Sequence, residues 1–246
     1  QQGQTISAME SNSLWAHTRI DPTTGLVQPH LLSDHLREVA RLSSLFAQGF
    51  GEDWARLAGL WHDLGKSREG FQRYIRQCAA QQSEDAHIEN KVSGPEKTHS
   101  AAGALHAIEV FRQADPKQGA MLARVLAYLI AGHHAGLADW QNEDRSDLSF
   151  RLAGDAARVE FNETIAAAPP GLLRPDAPLP TLRNLPGGAG GFALWVRLLF
   201  SCLVDADFLD TEQFMSDGRS RARDGFPGID TLRSALDDFL ARKAAE

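Results

Sequence analysis

The sequence predicts a mostly α-helical fold, a single helical bundle preceded by a small N-terminal hairpin or extended arm. Three observations carry this. Apolar residues recur at helical spacing through most of the chain, Pro and Gly gather in a few stretches between those runs, and alternating strand-like runs are scarce. The 246 residues allow one large domain or two small ones, with ample core. The expected division is an N-terminal segment at 1–14 and one domain at 15–246. The sequence begins at Gln1, and Met9 is the expected natural start, with the residues before it an expression remnant.

Taken in order, "SLWAHTRIDPTTGLVQPH" has turn chemistry in Asp21-Pro22 and Gly25 between short apolar runs, which gives the hairpin or arm. "SDHLREVARLSSLFAQGF" sets Leu36, Val39, Ala40, Leu42 and Phe46 at helical spacing, with Ser33 or Asp34 as N-cap. "EDWARLAGLWHDL" has a broad apolar face, and "EGFQRYIRQCAAQ" is amphipathic. Residues 81–97 are polar and read as an exposed loop. "THSAAGALHAIEVFRQ", capped by Thr98, "QGAMLARVLAYLIAGHH" and "RSDLSFRLAGDAARVEFNETIAAA" each read as one helix. Residues 168–191 hold six of the eleven prolines, so a long loop is expected to cross the domain there. "FALWVRLLFSCLVDADFLDTE" reads as a buried helix, and "DTLRSALDDFLARKAAE" as the last one.

Composition narrows the function classes. Hydrophobic content of 43% and charged content of 23% are those of an ordinary globule. The net charge, 25 − 32 = −7, lacks the basic footprint of a protein that grips nucleic acid by itself. That leaves nucleic-acid enzymes whose partner supplies the grip. Cys78 and Cys202 form no C-x-x-C pair and read as small buried hydrophobes, not as zinc ligands or a disulfide. No apolar run reaches the length of a membrane span, and no secretory signal is present, so a cytoplasmic protein is expected.

"GLWHDLGKS" at Gly59–Ser67 looks at first like a phosphate-binding loop. That motif needs four residues between its glycines, and here there are five, with Leu60 where Gly is needed. No strand precedes it. ATP is therefore not expected to bind. What remains is a His-Asp pair at a helix end, followed by Gly-Lys.

Other polar residues interrupt the apolar helices. His35 falls in the first turn of its helix, His62-Asp63 near the end of the next, His99 at a helix start and His133-His134 at a helix end. Asp205 and Asp207 interrupt the late apolar run. Imidazole and carboxylate ligate divalent transition metals, a carboxylate bridges two of them, and facing helices of a bundle converge such ligands. His17, His30, His87 and His106 are read as ordinary core or surface histidines.

The set of His35, "HDLGK" at His62, His99 in "THS", His133-His134 and an Asp in "VDADFLDTE" resembles the HD nuclease domain of the CRISPR-associated nuclease-helicase of type I systems. The likeness runs from Trp15 to about Glu212, and the fold it implies is an HD-type helical bundle. It implies one divalent ion on His35, His62, Asp63 and the late Asp, and a second on Asp63, His99, His133 and His134, with Asp63 bridging. The late Asp is Asp207 by the "ADFL" run, with Asp205 open as the alternative. Two residues apart on a helix they point roughly 200° away from each other, so one of them faces the cluster and the other is outer support, as is Asp210. Two such ions activate a water and stabilise charge at a phosphodiester. Their identity is left among Mn, Fe, Co, Ni and Zn. Lys66 is either a point charge for a phosphate oxygen or a solvated surface lysine, and Gly65 gives the close turn that aims it.

The resemblance further implies single-stranded DNA as substrate, cut in CRISPR antiviral interference. It implies a helicase domain or subunit as partner, and recruitment by a DNA-bound targeting complex. Arg68, Arg73 and Arg76, and Arg219, Arg221 and Arg223, are candidates to flank DNA, though a solvated face is the better reading of both sets. Trp61, Phe71 and Tyr74 are candidates to stack on bases, with core packing the better reading. Two other functions compete: an HD phosphohydrolase acting on small nucleotides, and a module in which the histidines are structural.

Overall fold

A computed structural model describes residues 13–80, 99–142, 147–175, 177–182, 188–223 and 227–244. The expected segment before Ser13, the stretch 81–98 with His87 and the Thr98 cap, and part of the proline-rich loop lie outside the described residues. The described chain is mostly α, with one two-stranded antiparallel hairpin at its start. It forms two compact units, Gln1–Thr211 and Glu212–Glu246.

The hairpin is β1 (Trp15–Ile20) and β2 (Val27–Leu31). Its turn is built as the sequence predicts: Asp21 Oδ1 accepts from the amides of Thr23 and Thr24 at 2.8 and 2.9 Å, and Gly25 takes φ +67°. The register sets His17 opposite His30. β2 runs directly into α1 (Leu32–Phe46), whose N-cap lies two residues before the first of the expected caps. Leu31 holds the N-cap position without a side-chain bond, and Ser33 and Asp34 fall in the first turn.

α2 (Glu52–Trp61) packs against α1 at close range. A Cβ on Gly59 would stand 2.7 Å from the backbone of Ala40, so only glycine allows this approach. A 3-10 turn, Leu64–Ser67, follows, then α3 (Glu69–Ala80). α4 (Ser100–Ala114) packs on α6 (Arg124–Gly132) and α8 (Asp155–Ala167). Leu36, Val39, Leu57, Trp61, Leu126, Leu129 and Ile130 are fully buried at the centre of this core.

Two expected single helices are divided. α5 (Gly119–Leu122) is a separate turn ahead of α6. α7 (Leu148–Ala153), whose N-cap Asp147 accepts from the Phe150 amide, is cut from α8 by Gly154 in an extended conformation. The proline-rich stretch carries a short helix, α9 (Pro170–Leu173), because proline at a first turn needs no amide partner.

α10 (Gly188–Met215) is longer than expected and buried on one side only. Trp195, Leu199, Cys202, Leu203 and Ala206 face the core, while Leu194, Leu198 and Phe208 are exposed. The second unit contains α11 (Asp217–Ala222) and α12 (Ile229–Ala244), with Arg223 held bidentately by Glu212. No helix among the described residues is long and apolar enough to cross a membrane.

Candidate metal centre

A helix C-terminus leaves its last carbonyls without amide partners. Two of the predicted ligands use this. His62 follows α2, and its Nδ1–H donates to the Gly59 carbonyl at 2.8 Å. His133 follows α6, and its Nδ1–H donates to the Ile130 carbonyl at 2.5 Å. In both, Nδ1 carries the proton and Nε2 keeps a lone pair that points away from the helix. His35 is oriented differently: its Nδ1–H donates to Asp210 Oδ2 at 2.6 Å, which turns Nε2 toward the cluster.

The freed Nε2 atoms of His35, His62 and His133 are buried and have no hydrogen-bond partner. Both Asp63 oxygens are buried too and accept no well-directed hydrogen bond. The Lys66 ammonium forms an ion pair with Oδ2 at 2.7 Å. Leaving this many buried polar atoms unmatched is costly unless a cation satisfies them.

Their arrangement divides around Asp63, which sits between α2 and the 3-10 turn with φ −109° and ψ 18°. Oδ2 faces His35 Nε2 at 3.4 Å and His62 Nε2 at 3.5 Å. Asp207 Oδ1, from α10, stands 3.4 and 3.5 Å from the same two nitrogens. Oδ1 of Asp63 faces His99 Nε2 and His133 Nε2, each at 3.3 Å. His134 Nε2 closes this second group, 2.8 Å from His99 Nε2. Ligand atoms about 2.1 Å from one tetrahedral ion stand about 3.4 Å apart, so the spacing fits metal coordination. His35, His62, Asp63 and Asp207 form one group able to hold an ion, and Asp63, His99, His133 and His134 another.

Asp205 is not in either group. It is exposed, roughly 200° around α10 from Asp207. Gly65 does not aim Lys66 as expected. A Cβ there would stand 2.2 Å from the His99 carbonyl, so the glycine lets the 3-10 turn lie against the start of α4 and brings His99 to Asp63. Lys66 is 1% exposed, which excludes the solvated-surface reading. Trp61 is core and donates to the Leu172 carbonyl, and Phe71 is buried with its ring against His99. Arg68 is buried, 3.4 Å from Glu163, and Arg76 lies over the Trp15 ring and bonds the Ser13 carbonyl. A groove of about 760 Å³ lined by Arg37, Arg41, Arg56 and Arg174 includes none of the cluster residues.

The electrostatics follow from burial and partners. Burial opposes the charge on Asp63, but Lys66, His62 and His99 outweigh it and hold the carboxyl well below its usual range. Asp207 is likewise lowered against its burial, by His62 and His35. Burial pushes His35 down, yet Asp210, Asp63 and Asp207 together raise it to about 9. Burial lowers His133. The cluster thus sets ionised carboxylates among histidine rings, and once His35 gives up its extra proton these are the donor set of a divalent transition-metal site.

A family model described as Cas3, HD domain, matches residues 10–174. The chain belongs to the Cas3 HD domain family. Membership makes it a CRISPR-associated, metal-dependent nuclease domain, a hydrolase acting on nucleic acid. No curated protein matches the chain. The Cas3 HD match ends before α10, so Asp207 and Asp210 join the site on geometry alone.

Two residues of the cluster, His17 and His30, escaped the sequence reading. With His35 they form a third close group of imidazoles. His17 Nε2 lies 3.2 Å from Lys66 Nζ, and His30 Nε2 lies 3.6 Å from Asp210 Oδ2. The strand register that pairs them was the available signal: both belong to the short hairpin that runs straight into the His35 helix.

Proposed function

We propose that this Cas3 HD domain hydrolyses phosphodiesters of single-stranded DNA with two divalent ions that share Asp63, in CRISPR antiviral interference. The observation that carries the reading is the division of Asp63, one oxygen toward His35, His62 and Asp207 and the other toward His99, His133 and His134. When bound, the two ions supply a polarised water and charge stabilisation at the scissile phosphate. The protein's part is to hold the ligands: the Gly59 and Ile130 carbonyls fix two imidazoles, and Lys66 keeps Asp63 ionised. Lys66 then acts through Asp63 and not by touching a phosphate.

The exposed His134 and the partly exposed Asp207 mark the side from which substrate enters, because the other five ligands are buried. The chain's charge of −7 leaves the grip on the strand to a helicase domain or subunit and a DNA-bound targeting complex. The metal is one of Mn, Fe, Co, Ni or Zn.

The test is cleavage of circular single-stranded DNA by metal-stripped protein with each metal added back. Metal-dependent cutting of the circle, lost in Asp63→Asn, is the expected result. Release of phosphate from small nucleotides with no cutting of DNA would move the site to the phosphohydrolase reading.

A further inference from the structure

His35 poses a local problem that His62 and His133 do not. Those two follow helix C-termini, where a spare carbonyl three residues back takes Nδ1–H. His35 stands in the first turn of α1. A helix N-terminus offers spare amides, not carbonyls, so no local acceptor exists to fix its ring. The acceptor comes from 175 residues away: Asp210 Oδ2, at 2.6 Å and buried. Asp210 lies three residues beyond Asp207 on α10, so both carboxylates share one face of that helix. Asp207 Oδ1 stands 3.4 Å from Nε2 while Asp210 holds Nδ1. α10 therefore grips the His35 ring from both nitrogens.

Asp210 is backed in turn by the hairpin. His30 Nε2 is 3.6 Å from the same Oδ2, and the His30 and His35 rings meet edge to face with centroids 5.3 Å apart. His17, opposite His30, packs its ring against His35 at 4.8 Å.

We infer that Asp210, backed by His30, is a positioning residue that fixes the tautomer and orientation of His35, so that the hairpin and α10 selectively strengthen the ion held by His35, His62, Asp63 and Asp207. The inference rests on the two-ion reading proposed above. A carboxylate acceptor makes an imidazole a stronger donor to a metal than a main-chain carbonyl does, and removing such a partner typically costs about 10–100-fold in metal affinity. In the second group, the Nδ1–H of His133 goes to a main-chain carbonyl, that of Ile130.

The experiment is calorimetric titration of the metal-stripped chain with Co²⁺. His35→Ala and His99→Ala identify which binding step belongs to which group. Asp210→Asn keeps the shape and a hydrogen-bond acceptor while removing the charge. It is expected to weaken the His35 step by about 10–100-fold and to leave the His99 step within about threefold. His30→Gln is expected to weaken the same step by less, and it serves if Asp210→Asn does not fold. Unchanged steps in both variants, or equal loss at both steps, would overturn the inference while leaving the two-ion reading intact. A wild-type chain that takes up no ion would sink that reading itself.

Discussion

The ammonium of Lys66 lies 2.7 Å from Asp63 Oδ2, with both side chains only 1% exposed. In the absence of metal this lysine supplies the positive charge that the bridging carboxylate needs. Breaking a buried pair costs roughly 3–5 kcal/mol, because the remaining charge is stranded. Lys66→Met is therefore expected to destabilise the metal-free protein by about that amount, and the metal-loaded protein by clearly less, since bound ions take over the charge. Thermal unfolding of both forms measures it. Equal losses with and without metal would contradict the role.

The two aspartates of "VDADF" separate cleanly. Asp207 Oδ1 stands 3.4 Å from His35 Nε2, while Asp205 is exposed. Asp207→Asn is expected to lower the metal-dependent cleavage rate by at least about tenfold, as loss of a ligand typically costs more than loss of its outer support. Asp205→Asn is expected to leave rate and stability near wild type, within about 0.5 kcal/mol. Parallel cleavage assays decide it.

Stability of the metal-free protein should fall with rising pH. His35 is raised to about 9, above its ordinary value of 6.5, so protonation of the folded state adds stability that is complete below pH 6.5. It is lost as pH climbs through the folded value. Metal binds only the neutral ring, so affinity should rise over the same window and binding should release protons. Melting the stripped and loaded forms from pH 6 to 9.5 tests both: the stripped form loses several degrees and the loaded form holds. At low pH, the depressed Asp63 contributes stability that disappears as pH drops below the usual carboxylate range.

Gly65→Ala should act on the second ion. The new Cβ would meet the backbone of His99 at 2.2 Å, so the 3-10 turn and the start of α4 must part. His99 is then drawn away from Asp63 Oδ1, now 3.3 Å distant. Uptake of the second ion is expected to weaken by at least about tenfold, with the His35 step less affected. Metal titration reads this directly.

The helices were legible because they depend on local signals: helical spacing placed the core residues Leu36, Val39, Leu57 and Trp61. The polar interruptions only nominated candidate ligands, and their division into two groups came from the family resemblance, because spacing along the chain does not say which of them meet. His17 and His30 were harder, because their importance arises from contacts across the fold, and Asp210, although named as outer support, had no partner that the sequence could assign to it. Asp210 reaches His35 over 175 residues, and His17 meets Lys66 over 49. The role of Gly65 was misjudged for the same reason: its constraint is the backbone of His99, not its own turn. The exposed side of α10 was also hidden, since its run of apolar residues shows no one-sided pattern.

The most direct test of the central claim is the number of ions each chain holds. Metal-stripped protein should take up two divalent ions per chain. His35→Ala and His99→Ala should each hold one, and Asp63→Asn, which removes the shared ligand's charge, should hold none tightly. Two ions retained in Asp63→Asn, or no more than one in the wild type, would contradict a centre built on a carboxylate shared between two metals.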